Sequence, residues 1–195
     1  PPRVYTVGES TAAPLRINPF YFEPGTSLKR HVSVLADALS ELLPTESMIG
    51  PKLREAVELV YLDLGWDIET GAWTGPGAPA YPSPVRFVHA VRQIAESLTY
   101  GAEVSANYRG ALEGRARVFL DATFQDIFGH DGDQDIEALF DRDTIIEMEG
   151  LPGSEIDVPA FILALLLERL RSHQQRHRRR HWLLVIEEAH NVLPR

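Results

Sequence analysis

The chain has 195 residues, 44% of them hydrophobic and 24% charged, enough for a domain with a real core and too apolar for a disordered segment. Nineteen basic against 28 acidic residues leave a formal charge of −9, which excludes a surface that coats nucleic acid nonspecifically and confines any DNA contact to a local patch. Zero cysteines exclude disulfides and thiolate metal sites; with no bilayer-length apolar run and no charged-then-apolar leader, the expected setting is cytoplasmic, without a transmembrane segment.

In chain order, Arg3 to Val7 alternates and reads as a strand, and Leu15-Arg16-Ile17 as a second short extended piece before Asn18-Pro19. From Ser27, apolar residues at 32, 35, 39 and 42 recur at helical spacing up to Pro44. A second helix follows Gly50-Pro51, with Leu53, Val57, Val60 and Leu64 on one face and Gly65 as its stop. Residues 71 to 84 carry four prolines and three glycines and predict an irregular surface loop. Ser83-Pro84 then supplies a cap and first position for a helix from Val85 to Leu98. A further helical pattern covers about Ala102 to Phe128, with a break near Gly114.

Beyond the Gly129 to Asp133 turn, the pattern predicts a short helix, Ile136 to Phe140, and a strand, Thr144 to Glu149. Asp157 caps a helix that is apolar around most of its girth, from Phe161 to Leu170. Trp182-Leu183-Leu184-Val185-Ile186 is an apolar run of strand length that stops at Glu187-Glu188. Such a run suits a strand buried on both faces of a parallel sheet, and carboxylates at its C-terminal end fall where open α/β sheets bind ligands. Strand, long helix and strand make a βαβ unit with parallel strands. An acid at such a point can help hold Mg²⁺ in P-loop NTPases, so the Glu187/Glu188 pair reads as a Walker B motif, with a core strand ending in a solvated acidic turn as the alternative.

Several segments then resemble one class. Leu15-Arg16-Ile17-Asn18-Pro19-Phe20 is similar to the stretch after the second core strand of HerA-type and conjugative-transfer ATPases, the FtsK-like branch of the RecA-fold motors. Ala111 to Arg117, Thr144 to Glu149, the apolar helix and Val185-Ile186-Glu187-Glu188-Ala189-His190 follow in the order of that branch. The resemblance implies an α/β fold, part of a RecA-like parallel sheet with an all-α insertion. It implies that residues 1–26 and 129–195 are part of the ATPase core and 27–128 the insertion. It further implies a ring, usually hexameric, that translocates or unwinds DNA with ATP and Mg²⁺, alongside a nuclease or transfer-machinery partner. Glu187 would assist Mg²⁺ through water, and Glu188 would polarise the attacking water.

One departure is decisive for activity. The phosphate-binding signature G-x-x-x-x-G-K-[ST] is absent, and Gly25-Thr26-Ser27-Leu28-Lys29 has the wrong order. The acids cannot hold nucleotide tightly without it, so the chain reads as the interior of a larger protein and as inactive alone. A noncatalytic, degenerate NTPase-fold interaction module is the alternative.

Arg178, Arg179 and Arg180 close a basic stretch able to grip DNA phosphates, or, more simply, to complement the end of a helix. Arg115 is the candidate for the arginine that a ring ATPase extends to its neighbour's nucleotide, against the plainer reading of an exposed helix cation. His173, His177 and His181 recur every four residues, but the intervening arginines repel a metal cation and a solvated connector is expected. Glu147 and Glu149 read as an ordinary strand edge, and His190 follows the acids without a role that sequence can assign.

Overall fold

The computed structural model describes residues 1–8, 13–23, 25–43, 49–99, 102–129, 136–149, 151, 157–178 and 181–187. Two strands, β1 (Arg3–Thr6) and β2 (Thr144–Glu147), pair in parallel, with Val4 opposite Ile145 and Tyr5 opposite Ile146. Backbone bonds from Arg3 N to Asp143 O and from Val7 N to Glu147 O, both 2.9 Å, extend the ladder at each end. One face of the pair turns Tyr5 into the core; the other leaves Val4 and Ile145 exposed.

Helices fill the long connection between the strands. α1 (Leu28–Leu42) starts where Ser27 Oγ accepts from Arg30 N at 3.3 Å, and its buried stripe of Val32, Leu35, Leu39 and Leu42 is the one its periodicity predicts. α2 (Ile49–Leu64) ends at Gly65, whose φ of +103° is a conformation glycine adopts without steric cost. α3 (Pro84–Glu96) is capped by Ser83 with Pro84 in its first turn. Consecutive helices pack on one another, and α1 also packs on α7 (Val158–Arg176), which is capped by Asp157.

The stretch expected as one helix broken near Gly114 is instead α4 (Ala102–Ala116), a 3₁₀ turn (Arg117–Leu120) and α5 (Ala122–Phe128). Asp121 is the physical cause. Its extended backbone ends the turn, and its carboxylate accepts from Thr123 N at 2.9 Å to begin α5, while Gly114 sits undisturbed inside α4. The turn drives Phe119 fully into the core. α6 (Ile136–Phe140) follows as expected.

Aromatic side chains join these elements. Phe20 packs on Phe87 at 5.5 Å between ring centroids, Phe87 on Phe119 at 5.6 Å, Phe119 on Phe161 at 6.3 Å and Phe161 on Phe128 at 5.5 Å. Such pairs each add about 0.5–1.5 kcal/mol beyond the area they bury. One hydrophobic cluster therefore runs from Tyr5 and Val7 through α1 to α5 and into α7, crossing the limits at residues 26 and 128. Among the described residues no helix is long and apolar enough to cross a membrane.

Candidate functional site

The acidic end of the chain is placed differently from expectation. Residues 181–186 carry no strand pairing, and Leu183 and Val185 are 89% and 72% exposed. The expected central strand and its βαβ unit with β2 are therefore not formed; the parallel partner of β2 is β1. A strand buried on both faces needs hydrogen-bonded neighbours and helices above and below, and this two-stranded sheet is itself bare on one face. The segment is tied to the fold through Trp182. Trp182 Nε1 donates to Phe140 O at 2.8 Å, and the Trp182 ring lies 5.1 Å from His173. Glu187 follows in an exposed turn, whereas Glu188 and His190 lie outside the described residues.

The basic stretch divides. Arg169, earlier in the same arginine-rich segment, is buried on α7, while Arg176, itself exposed, makes an ion pair with the buried Glu23. Arg171 and Arg178 are exposed; Arg179 and Arg180 lie outside the described residues. The solvated reading of the histidines fails for His173, which is fully buried against Phe140, Trp182 and His177, its centroid 4.4 Å from that of His177. Near its end α7 turns Ser172 and His173 into the core, while Gln174, Gln175 and Arg176 are exposed. His181 lies beyond the end of α7. Arg115 occupies the last turn of α4 and is half-buried, with Nη1 enclosed and lacking a hydrogen-bond partner, so it is not the freely exposed cation of the plainer reading. Glu147 accepts from Thr6 Oγ1 at 3.2 Å across the strand pair, as suits a strand edge.

The structure also assembles a buried polar hub that sequence reading does not anticipate. Asn18 ties three segments together: Oδ1 accepts from Phe20 N, Nδ2 donates to Pro82 O, and its carbonyl accepts from Arg169 Nη2, all at 2.9 Å. Tyr61 donates to Phe20 O at 2.5 Å, and the Arg169 guanidinium stands 5.4 Å from the Tyr21 ring centroid. His31 is enclosed between Phe22 and Tyr61. Burial, and secondly the Arg169 charge, lower its pKa to about 3, against an opposing hydrogen bond with the Pro19 backbone. Burial likewise pushes the Tyr61 hydroxyl well above its ordinary range, so both groups stay neutral. Asn18-Pro19 is legible as a turn; its partners His31 on α1, Pro82 before α3 and Arg169 on α7 are distant in sequence and leave no local signal.

The fold is similar to that of VirB4 of Thermoanaerobacter pseudethanolicus. The likeness covers 98% of this chain and 68% of that one, with a TM-score of 0.66 and 19% sequence identity. At that identity it is a likeness of fold. No family model matches the sequence, and no curated protein matches it.

Proposed function

We propose that this chain is part of an ATP-dependent DNA translocase or helicase motor of the HerA/FtsK-like class, working in a ring, with residues 27–128 as a helical insertion in a RecA-like core. The observation that carries the reading is the fold shared with VirB4 over 98% of the chain. The closing Ile186-Glu187-Glu188-Ala189-His190 and the Asn18-Pro19-Phe20 turn support it from the sequence.

The described residues do not by themselves fit a nucleotide with Mg²⁺. Among them no three His, Asp or Glu side chains converge as metal ligands, Glu187 stands in solvent, and the sequence has no phosphate-binding loop. Glu187 and Glu188 are thus proposed as the acidic part of a composite site, with Arg115 reaching a neighbouring subunit's nucleotide and Arg178, Arg179 and Arg180 contacting DNA phosphates. The decisive experiment is Glu188→Gln in the complete protein, which should abolish ATP turnover and leave nucleotide binding intact. Unchanged turnover would remove the catalytic assignment.

A second reading is a noncatalytic NTPase-fold module that assembles with partners. A complete protein that neither binds nor hydrolyses ATP would establish it over the first.

A further inference from the structure

The end of α6 aligns the starts of three segments. The last carbonyls of a helix have no partner within it, and here two of them are used from outside. Leu139 O accepts from Thr144 Oγ1 at 2.8 Å, at the first residue of β2, and Phe140 O accepts from Trp182 Nε1 at 2.8 Å. Just beyond, Asp143 O accepts from Arg3 N at 2.9 Å, at the first residue of β1. β1, β2 and the run that leads to Glu187 therefore start from one edge of the fold.

The Trp182 ring is held as well as its N–H. It meets the fully buried His173 edge to face, at 5.1 Å and 76°, and His173 packs in turn on the ring of Phe140 at 5.5 Å. The three residues close a cycle of contacts across α6, α7 and the segment. Among the described residues of 181–187, no other makes a hydrogen bond or an ion pair. Beyond Trp182, exposure alternates with the period of a strand. Trp182 and Ile186 are half-buried and Leu184 is 49% exposed, whereas Leu183 and Val185 are 89% and 72% exposed. One residue of slip would carry the acids about 3.3 Å along the run and exchange its two faces. The exposed Leu183 and Val185 offer nothing to resist such a slip, so the resistance comes from Trp182.

We propose that Trp182 is a positioning residue for the acidic pair: its indole fixes where the run toward Glu187 starts, and with it the register of that run relative to β1 and β2. The apolar residues between are free to take strand neighbours while their start stays in place. This role rests on the ATPase reading, which gives the carboxylates their task; the register itself rests on the contacts of Trp182 alone.

The test uses the complete protein with Trp182→Phe, which keeps a ring against His173 and loses the N–H, and with Trp182→Ala, which loses both. Backbone hydrogen exchange across residues 183–187 should quicken roughly fivefold in the first and roughly fiftyfold in the second, the effect of losing one hydrogen bond and then the ring contact too. Exchange in α1 and α3 should stay as in the wild type, whereas a merely structural role would quicken it there as well. In ATP turnover kcat should fall in the same order, with the KM for ATP unchanged, because this chain contributes no phosphate-binding loop. Unchanged exchange over 183–187 in both variants would overturn the proposal. So would a wild-type kcat in both, alongside a Glu188→Gln protein that has lost turnover. A Glu188→Gln protein with intact turnover would strike the ATPase reading instead, and the register role would then be decided by exchange alone.

Discussion

Acidification should unfold this protein through His31, and the size of the effect can be worked from its surroundings. The folded state holds His31 at a pKa of about 3 against an ordinary 6.5. Below 6.5 the unfolded chain takes up a proton that the folded chain refuses, so stability falls with falling pH; above 6.5 this residue contributes no pH dependence. Each pH unit below that point costs about 1.4 kcal/mol, so the loss is about 2 kcal/mol at pH 5 and approaches about 5 kcal/mol near pH 3. Against a total stability of about 5–15 kcal/mol this is a large fraction. The assay is urea unfolding of the wild type and of His31→Asn at pH 7 and pH 5. Asparagine keeps a short amide donor for the Pro19 carbonyl and cannot titrate, so its loss between the two pH values should be smaller by about 2 kcal/mol. Equal losses in the two proteins would show that His31 is not held neutral.

Arg169→Met should flatten the same acid slope, because it removes the second cause of the His31 shift, and should lower stability by about 1–3 kcal/mol through loss of the charge-assisted hydrogen bond to the Asn18 carbonyl, which keeps Tyr21 N as its other donor. Glycine substitutions should split by position. Gly75→Ala is expected to cost more than about 1 kcal/mol as its methyl meets the Trp73 ring, whereas Gly110→Ala, with open space around it in α4, should gain about 0.5–1 kcal/mol; both are read from denaturation midpoints. Removing the cap hydroxyl in Ser27→Ala or Ser83→Ala should cost about 1 kcal/mol each, with a thermal midpoint lower by a few degrees. Phe119→Ala, at the crossing of three aromatic contacts, should cost about 3–5 kcal/mol.

What sequence alone determined here is local: hydrophobic stripes at helical spacing, the capping residues Ser27, Ser83 and Asp157, the glycine stop at residue 65 and the irregular Pro/Gly loop. Each depends on a few neighbouring residues and on backbone sterics, which a linear pattern records directly. The tertiary structure decided the rest. Whether Leu183, Leu184 and Val185 become a buried strand depends on which strands and helices flank them, and here they stand in solvent. Whether Arg169 and His173 face water depends on what covers the last turns of α7; Asn18 and Phe140, remote in sequence, and Trp182, beyond the helix end, draw both inward. Burial and hydrogen-bond partnership are properties of packing between distant segments. The chemistry of a charged or aromatic residue in this chain is therefore set by neighbours that its own stretch of sequence does not name.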